Sequence, residues 1–254
     1  KEKKKKMKNI ILFIFFGFFC AKVYPQKINT SLTYLVKTPA KKTNKTPVLI
    51  LLHGYGSNEA DLFDLSPGFD NRFIVFSLRA PNVVSSEGCA WYKMEFLGDQ
   101  KFKYNYKDAR ESRLKILSFI SNACRAYDVD STQVYLLGFS QGAIMSYDLA
   151  FAAPEKISGV LALSGRMLEE TKTIKTDWKK ISRIKFFIAH GNLDNVIKIA
   201  DSEKVYRYLD SKKVTNIAFN KYVMAHAING SELDDIKRWL SNAITSKNET
   251  GAGK

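Results

Sequence analysis

Gly138-Phe139-Ser140-Gln141-Gly142 is a G-x-S-x-G sequence. It directly follows an apolar run and directly precedes an alanine-containing helical segment. A serine placed on a sharp turn between a strand and a helix is held out as a nucleophile, and the flanking glycines let the backbone approach closely. The helix that follows points its N-terminus at the serine oxygen, where negative charge develops. A serine hydroxyl still needs a base. The chain has three histidines, His53, His190 and His226. In folds built on such a turn, the order along the chain is Ser, acid, His. That order leaves His190 and His226. His226 sits on a loop after the last strand-like run and is assigned as the base. His190 ends the preceding run and is assigned an anchoring role. Asp194, four residues past His190, is the orienting acid, with Asp201 as the fallback. Two backbone N–H groups should bind the oxyanion. One is that of Gln141, after the nucleophile. The other comes from the loop His53-Gly54-Tyr55-Gly56, with Tyr55 the expected donor. His53 precedes Ser140 and is read as a brace for that loop.

These groups require elements to position them. Pro47–His53, Arg72–Leu78, Gln133–Phe139, Ile157–Ser164 and Arg183–Ala189 are apolar runs of the kind buried on both faces of a parallel sheet. Thr215–Val223 is more polar and is placed near an edge. Ser31–Val36 is a further N-terminal strand. Helices are expected over Asp108–Tyr127, Ser140–Ala152, Lys198–Leu209 and Ser231–Ile244. The first should carry Leu114, Leu117, Ile120 and Cys124 inward, and the last should be capped by Ser231. The alternation predicts an α/β fold, with a mainly parallel central sheet and helices on both faces. Ligands in such folds sit beyond the strand C-termini, where the residues named above fall. Ala80–Tyr106 has no clear period and is rich in aromatics. A segment of that length is functional or holds structure that periodicity does not reveal.

The chain has 254 residues and a formal net charge of +15. Six lysines and one glutamate in the first eight residues give a net +5, so +10 is spread over the rest. That distribution argues against nucleic-acid binding, and Lys101–Lys107 is the only basic-aromatic stretch. Ile10–Ala21 is an uncharged run of 12 residues, shorter than the roughly 20 needed to span a membrane. Basic start and short apolar core together read as an export signal, with Met7 a possible start and cleavage between about 21 and 27. The expected organisation is a signal over 1–26, one catalytic domain over 27–246 and a polar tail over 247–254. A periplasmic or secreted location follows, with no stable membrane span once the signal is removed. Lipidation at Cys20 is the less favoured alternative. Cys89 and Cys124 then remain and are read as unpaired. No metal-ligand spacing occurs.

Several motifs stand in a shared order: Leu52-His53-Gly54-Tyr55-Gly56-Ser57, Gly88 with Ala90-Trp91-Tyr92, Gly138–Ala143, Leu163-Ser164-Gly165, His190-Gly191 with Asp194, then His226 ahead of Leu233 and Trp239-Leu240. In this respect the chain resembles the phospholipase/carboxylesterase branch of the α/β-hydrolase fold, which includes the acyl-protein thioesterases. The resemblance runs from about Pro47 to Leu240. It implies a triad of Ser140, Asp194 and His226, and hydrolysis of a small-molecule carboxylic ester or thioester without a cofactor. It departs from the family in its export signal and in the segment Lys93–Tyr106. Thioesterase, lysophospholipase, dienelactone-type or peptidase activity on the same fold are the alternatives, and a non-catalytic exported binding protein is the most distant one.

Overall fold

A computed structural model describes residues 27–40, 46–97 and 102–250. The segment expected to be an export signal, with Cys20 in it, lies outside the described residues. Seven strands form one sheet: β1 (Tyr34–Lys37), β2 (Val48–Leu52) and β3 (Ile74–Leu78), then β8 (Val134–Phe139), β9 (Gly159–Leu163), β10 (Lys185–Gly191) and β11 (Ile217–Tyr222). Between them in sequence come four short strands: β4 (Asn82–Val83), β5 (Cys89–Ala90), β6 (Met94–Phe96) and β7 (Phe102–Tyr104). The order across the main sheet is β1-β3-β2-β8-β9-β10-β11. All pairings are parallel except β1 with β3. Every run expected as a strand forms one, and the more polar Ile217–Tyr222 lies at an edge.

The helices are α1 (Glu59–Phe63), α2 (Tyr106–Tyr127), α3 (Gln141–Ala152), α4 (Glu169–Thr173), α5 (Trp178–Ile181), α6 (Ile199–Ser211) and α7 (Gly230–Thr250). Alternate residues of each central strand point to opposite faces. Val48, Ile50 and Leu52 join one core, with Ile116 of α2, Ala143 of α3 and Val205 of α6. Leu49 and Leu51 join the other, with Leu62 of α1 and with Ile236 and Leu240 of α7. Such two-sided burial explains why the strands read as unbroken apolar runs.

The helices α2 and α7 differ from the sequence expectation in face, start or end, and the aperiodic segment proves to hold structure. In α2 the inward face is Ile116, Phe119, Ile120, Ala123 and Cys124, while Leu114 is 64% exposed. The helix begins at Tyr106, because Asn105 accepts a hydrogen bond from the Asp108 N–H. In α7, Asn229 rather than Ser231 holds the first turn: its side chain accepts from Glu232 N–H and its carbonyl from Leu233 N–H. This helix also continues to Thr250, four residues into the stretch expected as a tail. The aperiodic Ala80–Tyr106 segment contains two small antiparallel pairs, β4–β5 and β6–β7. Strands this short carry no readable alternation. Cys89 and Cys124 are both free and buried, and burial pushes the Cys124 thiol up to about 11.

Candidate active site

Four loops at the C-terminal ends of β2, β8, β9 and β10 meet the loop after β11 in one place. Ser140 sits between β8 and α3 with φ of 53° and ψ of −113°, a conformation unfavourable for a residue with a side chain. Packing over-determines it. The Ser140 N–H donates to Leu163 O on β9 at 2.9 Å, and the Ile144 N–H donates to Ser140 O. A Cβ on Gly138 would lie 2.3 Å from the Gly142 backbone, and one on Gly142 would lie 1.8 Å from Leu52 O. Both contacts are impossible, so the two glycines of G-x-S-x-G are demanded by the closeness of the turn to its own helix and to β2.

His226 Nε2 lies 2.9 Å from Ser140 Oγ, and His226 Nδ1 lies 2.7 Å from Asp194 Oδ2. Asp194 accepts only, so Nδ1 carries the proton and Nε2 is left to accept from the serine hydroxyl. Asp194 is itself held: its Oδ1 accepts from the N–H groups of Val196 and Ile197 at 2.9 and 3.0 Å. Its side chain is fully buried, while that of His226 is 16% exposed. The Phe139 ring packs against the imidazole, with centroids 4.9 Å apart. Asp201 stands apart from this chain of contacts and pairs with Lys204 on α6.

His190 is wholly buried. Its Nε2 lies 2.8 Å from Ile197 O and 3.2 Å from Asp194 Oδ2, and its Nδ1 lies 2.6 Å from Ser202 Oγ. Burial holds its pKa below the usual histidine value. It therefore ties the acid's loop to β10 and α6 as a neutral ring. His53 is also wholly buried and its pKa is lowered by burial. Its Nε2 accepts from the Ala80 N–H at 3.1 Å, so its Nδ1 carries the proton and donates to Gly54 O at 2.7 Å. The brace expected of it is the one it makes.

Among the described residues, neither the Tyr55 N–H nor the Gln141 N–H has a backbone or side-chain acceptor. Both belong to loops next to Ser140: a Cβ on Gly54 would lie 3.5 Å from Ser140 Cβ. The side chain of Gln141 has a task that spacing could not reveal. Its Oε1 accepts from Trp91 N–H and its Nε2 donates to Tyr92 O, each at 2.8 Å. Trp91 Nε1 in turn donates to His53 O at 2.9 Å. One buried network thus fixes the Tyr55 loop, the Trp91-Tyr92 segment and the serine turn relative to one another. The geometry suits a nucleophile with a base and an orienting acid, beside two N–H groups with no acceptor among the described residues.

The sequence model of the phospholipase/carboxylesterase family matches residues 34–244. Acyl-protein thioesterase 1 of Emericella nidulans is 25% identical over 230 residues, covering 83% of this chain and 95% of that protein. The enzyme of the same name from Kluyveromyces lactis is 25% identical over 225 residues, covering 82% of this chain and 97% of that protein. Among solved structures, the Bacillus cereus carboxylesterase superposes with a TM-score of 0.73 at 24% identity, covering 85% of this chain and 96% of that one. Sheet order, strained serine and matched family span agree: this chain has the α/β-hydrolase fold and belongs to the phospholipase/carboxylesterase family of hydrolases.

Proposed function

We propose that the chain is a serine hydrolase that cleaves carboxylic esters through an acyl-enzyme. One observation carries this reading: a single imidazole bridges Ser140 Oγ and Asp194 Oδ2 at 2.9 and 2.7 Å. Ser140 Oγ attacks the carbonyl carbon while its proton passes to His226 Nε2. Asp194 keeps the imidazole in the required tautomer and stabilises the imidazolium. The N–H groups of Tyr55 and Gln141 receive the oxyanion. Collapse expels the alcohol, which takes the proton from His226. Water, deprotonated by the same ring, then releases the acid. The reading extends to an exported enzyme, on the strength of the basic start and the 12-residue apolar run.

A thioester is the second reading, favoured by the acyl-protein thioesterases among the relatives. The steps are the same with a thiolate leaving. Matched oxygen and thioesters separate the two by their kcat/KM ratio. For the shared chemistry, a serine-directed phosphonate should label the wild-type protein and fail on Ser140→Ala. Equal labelling of both proteins would remove Ser140 from the mechanism.

A further inference from the structure

Arg166 follows Leu163-Ser164-Gly165 at the end of β9. Its Nε is buried and has no acceptor among the described residues. Its guanidinium lies 5.0 Å from the centroid of the Tyr104 ring, a cation–π contact that holds the plane without neutralising the charge. The carboxylates nearby are already engaged: Glu169 with Lys172 at 2.7 Å, Asp201 with Lys204 at 2.9 Å, Glu170 with Arg110, and Asp148 with Arg113 at 3.1 Å. A buried guanidinium nitrogen left without an acceptor is costly and demands an explanation.

Arg166 faces a cavity of about 190 Å³ that Tyr104 and Tyr106 also line. Three cations, Arg166, Lys172 and Lys204, stand there against two carboxylates, Glu169 and Asp201. Two routes through the fold connect this cavity to Ser140. Leu163 O holds the Ser140 N–H, and Arg166 is three residues further on, a reach of at most about 11 Å. By the second route, the Gln141 side chain holds Tyr92 O, and the Tyr92 ring packs edge-on against Tyr104 with centroids 5.9 Å apart. A planar fork on an aromatic face is suited to gripping two oxygens of one anion.

We propose that Arg166 and the Tyr104–Tyr106 pocket bind an oxyanionic group, carboxylate or phosphate, carried at the far end of the ester that Ser140 attacks. The substrate class is then an ester with a negatively charged end a few carbons from the scissile carbonyl. This rests on the esterase reading above.

The test compares kcat/KM for p-nitrophenyl monoesters of the diacids from succinic to suberic with uncharged p-nitrophenyl alkanoates of equal chain length. In the wild-type protein the charged-to-neutral ratio should exceed one for at least one length. In Arg166→Gln that ratio should fall about tenfold or more, mainly through KM, and Arg166→Lys should retain part of it. Glutarate and inorganic phosphate, each tested as a competitive inhibitor of neutral-ester hydrolysis, tell which oxyanion the site prefers and need no variant. A ratio below one at every length, unmoved in Arg166→Gln, overturns the proposal. So does the absence of competitive inhibition by both anions, which decides the matter if the variant does not fold. Hydrolysis of neutral esters with no charged preference removes only the role of Arg166. Failure to hydrolyse any ester removes the esterase reading together with it.

Discussion

Asp194 shows how one side chain is made into a fixed tool. Two backbone N–H groups occupy Oδ1, leaving Oδ2 for His226, and the neutral His190 ring closes the remaining side. Asparagine at 194 would keep the shape but present an amide, which favours the wrong imidazole tautomer. Asp194→Asn should therefore lower kcat about 10³–10⁴-fold with little change in KM. Steady-state kinetics on a p-nitrophenyl ester check this. A loss below tenfold would mean that Asp194 does not orient the base.

At the scale of elements, the serine turn depends on the close seating of α3 against β2. Gly142 is where they meet. Gly142→Ala would place a methyl 1.8 Å from a backbone oxygen, which no rotamer relieves. The expected cost is about 1–3 kcal/mol or more, with hydrolysis falling in parallel as the turn is displaced. Gly230, at the start of α7, is the contrasting case. An added Cβ there meets nothing within 4 Å, so Gly230→Ala should stabilise by about 0.4–1 kcal/mol. Urea unfolding of the two variants tests both signs. Much of this level is legible in the sequence. Each strand of the main sheet shows as an apolar run, because burial on both faces leaves no room for polar residues. Leu114 shares helical spacing with buried neighbours yet falls outside the face that packs through Phe119 on Phe76 of β3. The pairs β4–β5 and β6–β7 leave no mark in the sequence because two or three residues cannot display a period.

For the whole molecule, buried ionisable groups set the response to pH. Glu232 is wholly buried in the first turn of α7, both its carboxyl oxygens lack partners among the described residues, and burial raises its pKa to about 8. In the unfolded chain it ionises near the ordinary value of about 4.5. Between these limits the folded state holds a proton that the unfolded state has lost, so stability falls as pH rises from about 4.5 to 8. His53 and His190 act in the opposite sense. Burial lowers both, so the stability they contribute is present above about 6.5 and is lost as pH falls below it. From about 4.5 to 6.5 the two effects oppose one another, and above about 6.5 that of Glu232 acts without them. Glu232→Gln should remove the effect of Glu232, gaining on the order of a few kcal/mol at pH 8 and little at pH 5. Urea midpoints of both proteins at the two pH values measure it. An equal gain at both would show that the carboxyl is not protonated in the fold.

What the sequence by itself determined is the set of reactive types and their order: a serine between glycines, an acid, then a histidine, each just after a strand. In a parallel sheet such positions share one edge, so order along the chain was enough to bring Ser140, Asp194 and His226 to one place. Spacing could not show what the side chains between those positions do. That Gln141 ties the Trp91-Tyr92 segment to the serine turn, and that Arg166 stacks on Tyr104 without a counter-ion among the described residues, were decided by tertiary structure alone. Each depends on contacts between residues tens of positions apart, and on which carboxylates other cations have already taken. Periodicity reports which face of an element is buried; only packing decides which polar groups meet there and which are left for a substrate.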